Sequence, residues 1–452
     1  MMRLDTQAVT VVLALCLAMA GCGGGDTATE GAETTTGGES PGVATGSGSD
    51  GAPTSGISSD TAGDGAPNPW GATQAEQCQR PARPVMSSRA RKDFDRGVEA
   101  ARNGDAKRAR DSFEDALKRD PGAYAALYNL GVLADRAGDE RKARSDYQKS
   151  LAVLADYEPA ARGMATIELR RNNPQGAIAV VEPIASAHRT NLEIQALYAE
   201  VLVEARRYEE AWMAARRALK CDERFVPALI ALEKASRAQG RDELADSILA
   251  QALEVDPDVA ELHFLRGEQL RDEPGRLRDA LQSYARAVQL RPDYAEARMA
   301  LGVLLLAGGN YQDALSHFEA AEQLVPTLPA VYVNLGDAYR ASQRWTDAQQ
   351  AYAKALELQP KLPEAHFGLG LMFLSAGEGF PGLDEVGALE KSVEEFKKYR
   401  SEMGPRLPRD DPSGEYLRDL DRMIQRAKRR IERDRERAAR EAERGPREGA
   451  TE

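Results

Sequence analysis

Histidine, cysteine and aromatic side chains are scarce in this sequence, and each scarcity removes a class of chemistry. The only histidines are His188, His263, His317 and His366, and no two of them stand at metal-ligand spacing on one helix. Phosphate-cradling P-loop and nucleophile-elbow patterns are missing, and the Gly-rich stretch near the start follows no strand. No catalytic residue, no metal ligand and no cofactor site is therefore expected, and the chain reads as a non-enzyme. Aromatics make up 6% of residues while Ala, Leu, Arg and Glu dominate beyond residue 80, a composition that suits helix. Basic surplus is lacking as well: the net charge of −12 argues against a nucleic-acid partner. Apart from an N-terminal run, Ala8 to Ala20, no long apolar stretch occurs, and that run is short for a membrane span.

What is present is repetition. Gly302, Ala314, Phe318, Ala321 and Pro326 are spaced 12, 4, 3 and 5 residues apart, and Gly336, Ala348, Tyr352, Ala355 and Pro360 repeat those spacings 34 residues later. This pattern resembles the tetratricopeptide repeat, or TPR, a helix-turn-helix unit that buries its apolar face only by stacking on neighbours. The resemblance implies an all-α fold, a TPR α-solenoid forming a right-handed superhelix. Stepping by 34 gives about nine repeats over residues 88–405, with repeats three and four degenerate and one extra residue in the Glu273-Pro-Gly turn of repeat six. A ninth repeat begins at Pro363, is interrupted by an insertion of about ten residues at Gly377, and resumes near Leu389. Such an insertion either shapes a binding face or is a tolerated surface loop. Gly at position 8 and Ala at position 20 are expected to let neighbouring backbones approach, with the position-24 aromatic between repeats and Pro at position 32 stopping the second helix. In residues 406–452, Tyr416, Leu417, Leu420, Met423, Ile424, Ala427 and Ile431 recur at helical spacing and predict a capping helix followed by a solvated charged tail.

The N-terminus carries an address. Residues 1–21 have a signal-peptide profile, and Met19-Ala20-Gly21-Cys22 resembles the lipobox of bacterial lipoproteins, with Met where that family usually has Leu. The resemblance implies that Cys22 is lipidated. Residues 22–87 form the expected tether: between residues 23 and 76 there are eight acidic residues and no Lys or Arg, with too few large apolar side chains to offset the entropy of ordering. Its reach as a Gly-rich coil is roughly 40 Å. The residue after Cys22 is Gly23, not the Asp that retains such lipoproteins at the inner membrane, so the expected location is the periplasmic face of the outer membrane. Beyond the leader, Cys78 and Cys221 remain as thiols; they either pair as a disulfide or stay free, since spacing fixes no geometry.

In tetratricopeptide proteins the first helices line a concave groove through positions 2, 5, 6, 9, 12 and 13. By register this implies Tyr128, Asn129 and Asp135, then Lys234 and Arg237, then Phe264, Glu268 and Arg271. It continues with Met299, Val303 and Leu306, then Asn334, Asp337 and Arg340, and finally Phe367 and Leu371. The amides of Asn129 and Asn334 are suited to bonding the backbone of an extended peptide. The apolar members either anchor a partner or pack against neighbouring helices. The two-carboxylate clamp of some chaperone adaptors is not found. The whole resembles lipoproteins of gliding-motility machines and of type IV pilus assembly. That implies a scaffold holding extended or helical segments of other envelope proteins, with a lipid anchor in the membrane, no nucleic acid and no small-molecule substrate. The alternative is an accessory that activates, or delivers substrate to, an envelope polysaccharide or peptidoglycan enzyme.

Overall fold

A computed structural model of the chain describes residue 78 and residues 83–443; the leader, Cys22 and nearly all of the tether lie outside them. The described residues are helical, without strands, and fall into two compact units that divide at Gly240 and Arg241. The first unit holds α1 (Ser88–Arg102), α2 (Ala106–Arg119), α3 (Tyr124–Arg136), α4 (Glu140–Val153), α5 (Glu158–Arg170), α6 (Pro174–Ala187), α7 (Leu192–Glu204), α8 (Tyr208–Cys221) and α9 (Val226–Ala238). In the second are α10 (Asp242–Val255), α11 (Ala260–Arg271), α12 (Leu277–Leu290), α13 (Ala295–Ala307), α14 (Tyr311–Leu324), α15 (Pro329–Ala341), α16 (Trp345–Leu358), α17 (Pro363–Ala376), α18 (Glu385–Met403) and α19 (Ser413–Glu443). Within each unit every helix packs on the next. First helices of successive repeats also touch, as α3 does α5 and α13 does α15.

The turn between the two helices of a repeat is set by one residue at position 15. Gly104, Gly138, Gly240 and Gly309 all have φ between 71° and 81° there, the left-handed region open to glycine without a Cβ clash. Asn172, Arg206 and Gln343 occupy the same position at φ of 54°, 59° and 58°, so these non-glycine residues carry the strain of that conformation. Polar caps then start several second helices: Asp105 accepts from the Arg108 amide, Asp139 from Lys142 and Asn173 from Gly176. Each second helix before a position-32 proline ends two residues short of it, as at Leu324 before Pro326 and Leu358 before Pro360.

Position 20 is alanine with no exposure at Ala109, Ala143, Ala177, Ala211, Ala245, Ala314 and Ala348, which permits the close approach expected of it. The position-8 glycine has a different reason. A Cβ on Gly97, Gly131, Gly267, Gly302 or Gly336 would stand 2.5 to 2.6 Å from the aromatic ring of its own repeat: Phe113, Tyr147, Tyr284, Phe318 or Tyr352. The glycine thus makes room for that ring, not for a neighbouring backbone. Tyr147 and Tyr352 also reach the next repeat, where a Cβ on Gly163 or Gly368 would come within 2.5 to 2.7 Å of them. The ring is therefore the peg that joins two repeats.

The ninth repeat resumes at Glu385, four residues before Leu389, after a short 3-10 turn at Gly377–Gly379. Phe380 of the insertion is buried and tilts against Phe373, so part of the insertion packs on its own repeat. The terminal helix α19 covers the last repeat: Leu420, Ile424 and Met423 join Phe367, Leu371, Phe396 and Tyr399 in one apolar cluster, and Tyr416 stacks on Phe396 at 5.2 Å. Lys428 pairs with Glu390 at 2.7 Å and Arg430 with Glu385. Docking stops earlier than the sequence pattern suggests, because Ile431 is 47% exposed. In the first unit, Cys78 and Cys221 are joined by a disulfide (S–S 2.04 Å), and Arg83 pairs with Glu193 at 3.0 Å, tying the segment ahead of α1 to α7 and α8.

Candidate functional site

The first helices carry the positions at which a partner is expected, and their side chains divide into packed, internally bonded and accessible sets. Met299 and Val303 are 2% and 6% exposed within the core around Phe318. Phe367 and Leu371 lie beneath α19. These four are packing residues and not groove contacts, because first helices pack on each other as well as on their second helices, so more than one apolar stripe is covered. Tyr128 is buried too, edge-on to Tyr157 at 5.7 Å. Asn129 donates one amide N–H to the Ala125 carbonyl of its own helix at 2.9 Å, which fixes the side chain and leaves it fewer groups for a peptide. Asn334, in the same Asn-Leu-Gly context, is 4% exposed, and no described group bonds its amide.

The charged residues at positions 9 and 12 are engaged with the position-24 ring. In repeat eight the Tyr352 hydroxyl donates to Asp337 at 2.8 Å, and Arg340 donates to the same carboxylate at 3.3 Å. In repeat six the Tyr284 hydroxyl donates to Glu268, and Arg271 bonds both oxygens of Glu268 at 3.2 and 3.0 Å. Burial, followed by the adjacent carboxylate, pushes both phenols well above the ordinary tyrosine range, so each remains a donor. Burial opposes the charge of Arg340, but Tyr352 and Asp337 outweigh it and hold the guanidinium protonated.

Repeats seven and nine fill the same space without polar atoms. Phe318 stands with Val303 and Leu306, and Phe396 with Leu371 and Leu374. Repeats six to nine therefore alternate between a Tyr–acid–Arg trio and a Phe–aliphatic trio. A signal for this lay in the sequence: Tyr at position 24 accompanies an acid at position 9, and Phe accompanies Val or Leu. Repeat two departs from it, with Tyr147 opposite Val132 and its acid, Asp135, at position 12 paired to Arg170.

The accessible set is smaller. In the second unit, Phe264 of α11 is partly exposed and lies 5.8 Å from Tyr284 and 5.2 Å from Tyr294, with the partly exposed Glu268 and Arg271 on the following turns. Leu306 is also partly exposed. Within the first unit, Lys234 and Arg237 of α9 are partly exposed, Arg237 paired at 2.7 Å with the buried Glu233, and Asp135 is partly exposed. His366 is buried between carboxylates, 2.6 Å from Glu395 and 3.4 Å from Glu402, and His263 contacts the Pro257 carbonyl. Among the described residues no group of three or more His, Cys, Asp or Glu is placed to hold a metal, and no helix is long and apolar enough to cross a membrane.

Known proteins share this architecture. Models described as tetratricopeptide repeat match residues 94–159 and 269–329 and residues 228–262, and one described as TPR repeat matches residues 336–377. No curated protein matches the sequence. Similar solved structures include the Cut9–Hcn1 hetero-tetramer of APC/C, 16% identical over 74% of this chain and 77% of that one, with a TM-score of 0.43. A human IFIT1 dimer with PPP-AAAA is 15% identical over 74% of this chain and 81% of that one, at a TM-score of 0.47. MamA residues 41 to the end, from Desulfovibrio magneticus RS-1, is 23% identical over 39% of this chain and 96% of that one, at a TM-score of 0.34. The chain carries tetratricopeptide repeats, and its all-helical architecture is the fold of that family.

Proposed function

We propose that the protein is a non-enzymatic scaffold of the bacterial envelope, anchored through lipidated Cys22 and holding a segment of another envelope protein against its first helices. Tetratricopeptide repeats are protein-interaction units, and what supports a bound segment here is the Asn334 amide: the residue is 4% exposed and its amide has no described partner. An incoming peptide group can bond that amide without displacing a partner within the chain. The Tyr–acid–Arg trios hold Arg271 and Arg340 in fixed directions, so a partner meets oriented donors without the entropy of ordering them. Phe264 supplies an aromatic anchor beside Arg271. The lipobox and acidic tether support the envelope address, and a motility or pilus-assembly machine is the setting that layout resembles.

The anchoring half is tested by Cys22→Ala, which is expected to move the protein from the membrane to the soluble fraction with unchanged helicity. Unchanged fractionation excludes a lipid anchor. For the binding half, chemical crosslinking of intact cells should give a discrete adduct that Asn334→Ala with Phe264→Ala abolishes. An adduct pattern indifferent to both substitutions counts against the first helices as the binding face.

A further inference from the structure

Many of the arginines in this chain are held in ion pairs. Arg144 is paired with Glu168, Arg162 with Glu158 and Glu200, Arg170 with Asp135, and Arg171 with Glu140. Arg189 and Arg217 are among those without an ion pair, and they line one cavity. It has a volume of about 350 Å³ and lies in the first unit between α6 and α8, with Tyr198 of α7 contributing to its wall. Arg217 of α8 and Arg189, in the turn after α6, both line it, and among the described residues no carboxylate pairs with either.

The position of Arg217 is imposed from below. Gln195 has no exposure; its amide donates to the Ala185 carbonyl at 2.7 Å and the His188 carbonyl at 3.4 Å. That fixes where its oxygen points, and the oxygen accepts from Arg217 Nε at 2.7 Å. One edge of the guanidinium is therefore held by a buried, oriented acceptor, while its terminal N–H groups have no described partner. Such second-layer support is what distinguishes a built site from a surface arginine.

Charge at the cavity is uncompensated. Partial burial and, after it, the nearby Arg189 depress the basicity of Arg217, the mark of like charges left facing each other. Glu210, the one acid on the wall, is held by Arg207 through two bonds of 2.6 and 2.5 Å. Behind Tyr198, Glu182 accepts the phenol proton at 3.1 Å. Ser186, whose hydroxyl has no described partner, and Met213 complete the wall. A carboxylate would neutralise one guanidinium; a phosphoryl group, carrying about −1.5 to −2 near neutral pH with three acceptor oxygens, matches both cations and the hydroxyl.

We propose that this cavity is an oxyanion site that takes a phosphoryl group, as free phosphate or as the phosphomonoester of a small molecule, between the Arg217 fork and Arg189. None of its lining residues is one of the first-helix positions proposed to hold a partner, so it does not depend on the scaffold reading. The repeat register gives no sign of it, since Arg189 falls in a turn and Arg217 on a second helix.

The test is calorimetric titration of the full chain with inorganic phosphate and with glycerol 3-phosphate, at constant ionic strength and with succinate as the dicarboxylate reference. Saturable binding is expected, with the tighter of the two probes distinguishing free phosphate from an ester. Arg189→Gln and Arg217→Gln should each weaken it about tenfold, the loss of one charge-assisted bond. Arg217→Lys, which keeps the charge without the fork, should weaken it less, and Arg108→Gln on the exposed face of α2 should change nothing. Because Arg189 is exposed, its variant should retain the wild-type melting curve, so a lost signal there reports the site and not the fold. No saturable binding of either probe, binding unaffected in both glutamine variants, or succinate bound as tightly as phosphate overturns the assignment.

Discussion

The alternation of polar and apolar trios in repeats six to nine makes a sharp prediction at repeat eight. Tyr352 has no exposure and Asp337 5%, so Tyr352→Phe leaves a buried carboxylate with only the 3.3 Å bond from Arg340. The lost bond has a charged acceptor, for which about 1.5–3 kcal/mol is expected. Asp337→Val is worse: it strands the Arg340 guanidinium, whose side chain is 17% exposed, and removing one partner of such a pair costs about 3–5 kcal/mol. The triple change Tyr352→Phe, Asp337→Val, Arg340→Leu rewrites the trio as the Phe318, Val303, Leu306 of the preceding repeat. Replacing a buried ionic group as a whole by well-packed apolar residues is close to neutral or stabilising, so the triple variant should recover most of the loss. Hydrogen exchange of α15 and α16 is the suitable assay, since in a repeat array the lesion loosens neighbouring helices first. If the triple variant exchanges as fast as the single losses added together, the two trios are not interchangeable fillings and the reasoning fails.

Other outcomes follow from the same packing. Gly302→Ala places a Cβ 2.6 Å from Phe318, so overpacking of about 1–3 kcal/mol should exceed the helix-propensity gain of about 1; the milder 3.0 Å contact at Gly370→Ala should cost less, as read by urea denaturation. At the left-handed turn position, Arg206→Gly and Gln343→Gly should each raise stability by about 0.5–1 kcal/mol, the relief of a Cβ clash less the entropy of glycine. Reducing the Cys78–Cys221 disulfide should destabilise the first unit by about 2–4 kcal/mol, with exchange rising first around α7 and α8. Burial opposes ionisation of Glu395, but the bonds from His366 and Lys398 outweigh it and set its carboxyl below the ordinary range. A depressed folded-state pKa gives stability that is present above the unfolded value, near 4.3, and lost as pH falls through the folded one. Glu395→Gln should therefore flatten the acid limb of unfolding at the last repeat and leave the alkaline side unmoved.

The helices were legible because the 34-residue period specifies both their length and their turns. Gly104 and Gly138, 34 residues apart, carry a sequence signal for the left-handed position, while the three repeats that use Asn172, Arg206 or Gln343 instead are ones a glycine pattern cannot reveal. The expected groove was less legible. Register gives a side chain's place on its own helix and not what covers that face, so Met299 and Val303 were indistinguishable from Phe264 until neighbouring first helices were in place. Phe367 and Leu371 were hidden by α19, whose docking the sequence pattern predicts without saying which face of the ninth repeat it would occupy. The Arg217 cavity was invisible for another reason: it depends on the direction of one buried glutamine amide, Gln195.

Whether a partner lies along the first helices is read out by placing a photo-crosslinking side chain at single positions in living cells. Position 264 of α11 and position 306 of α13 should capture one and the same protein, while position 282 on the exposed face of α12 and position 254 on that of α10 should not. Capture from positions 282 and 254 equal to that from 264 and 306, or no shared protein at the latter pair, contradicts the claim.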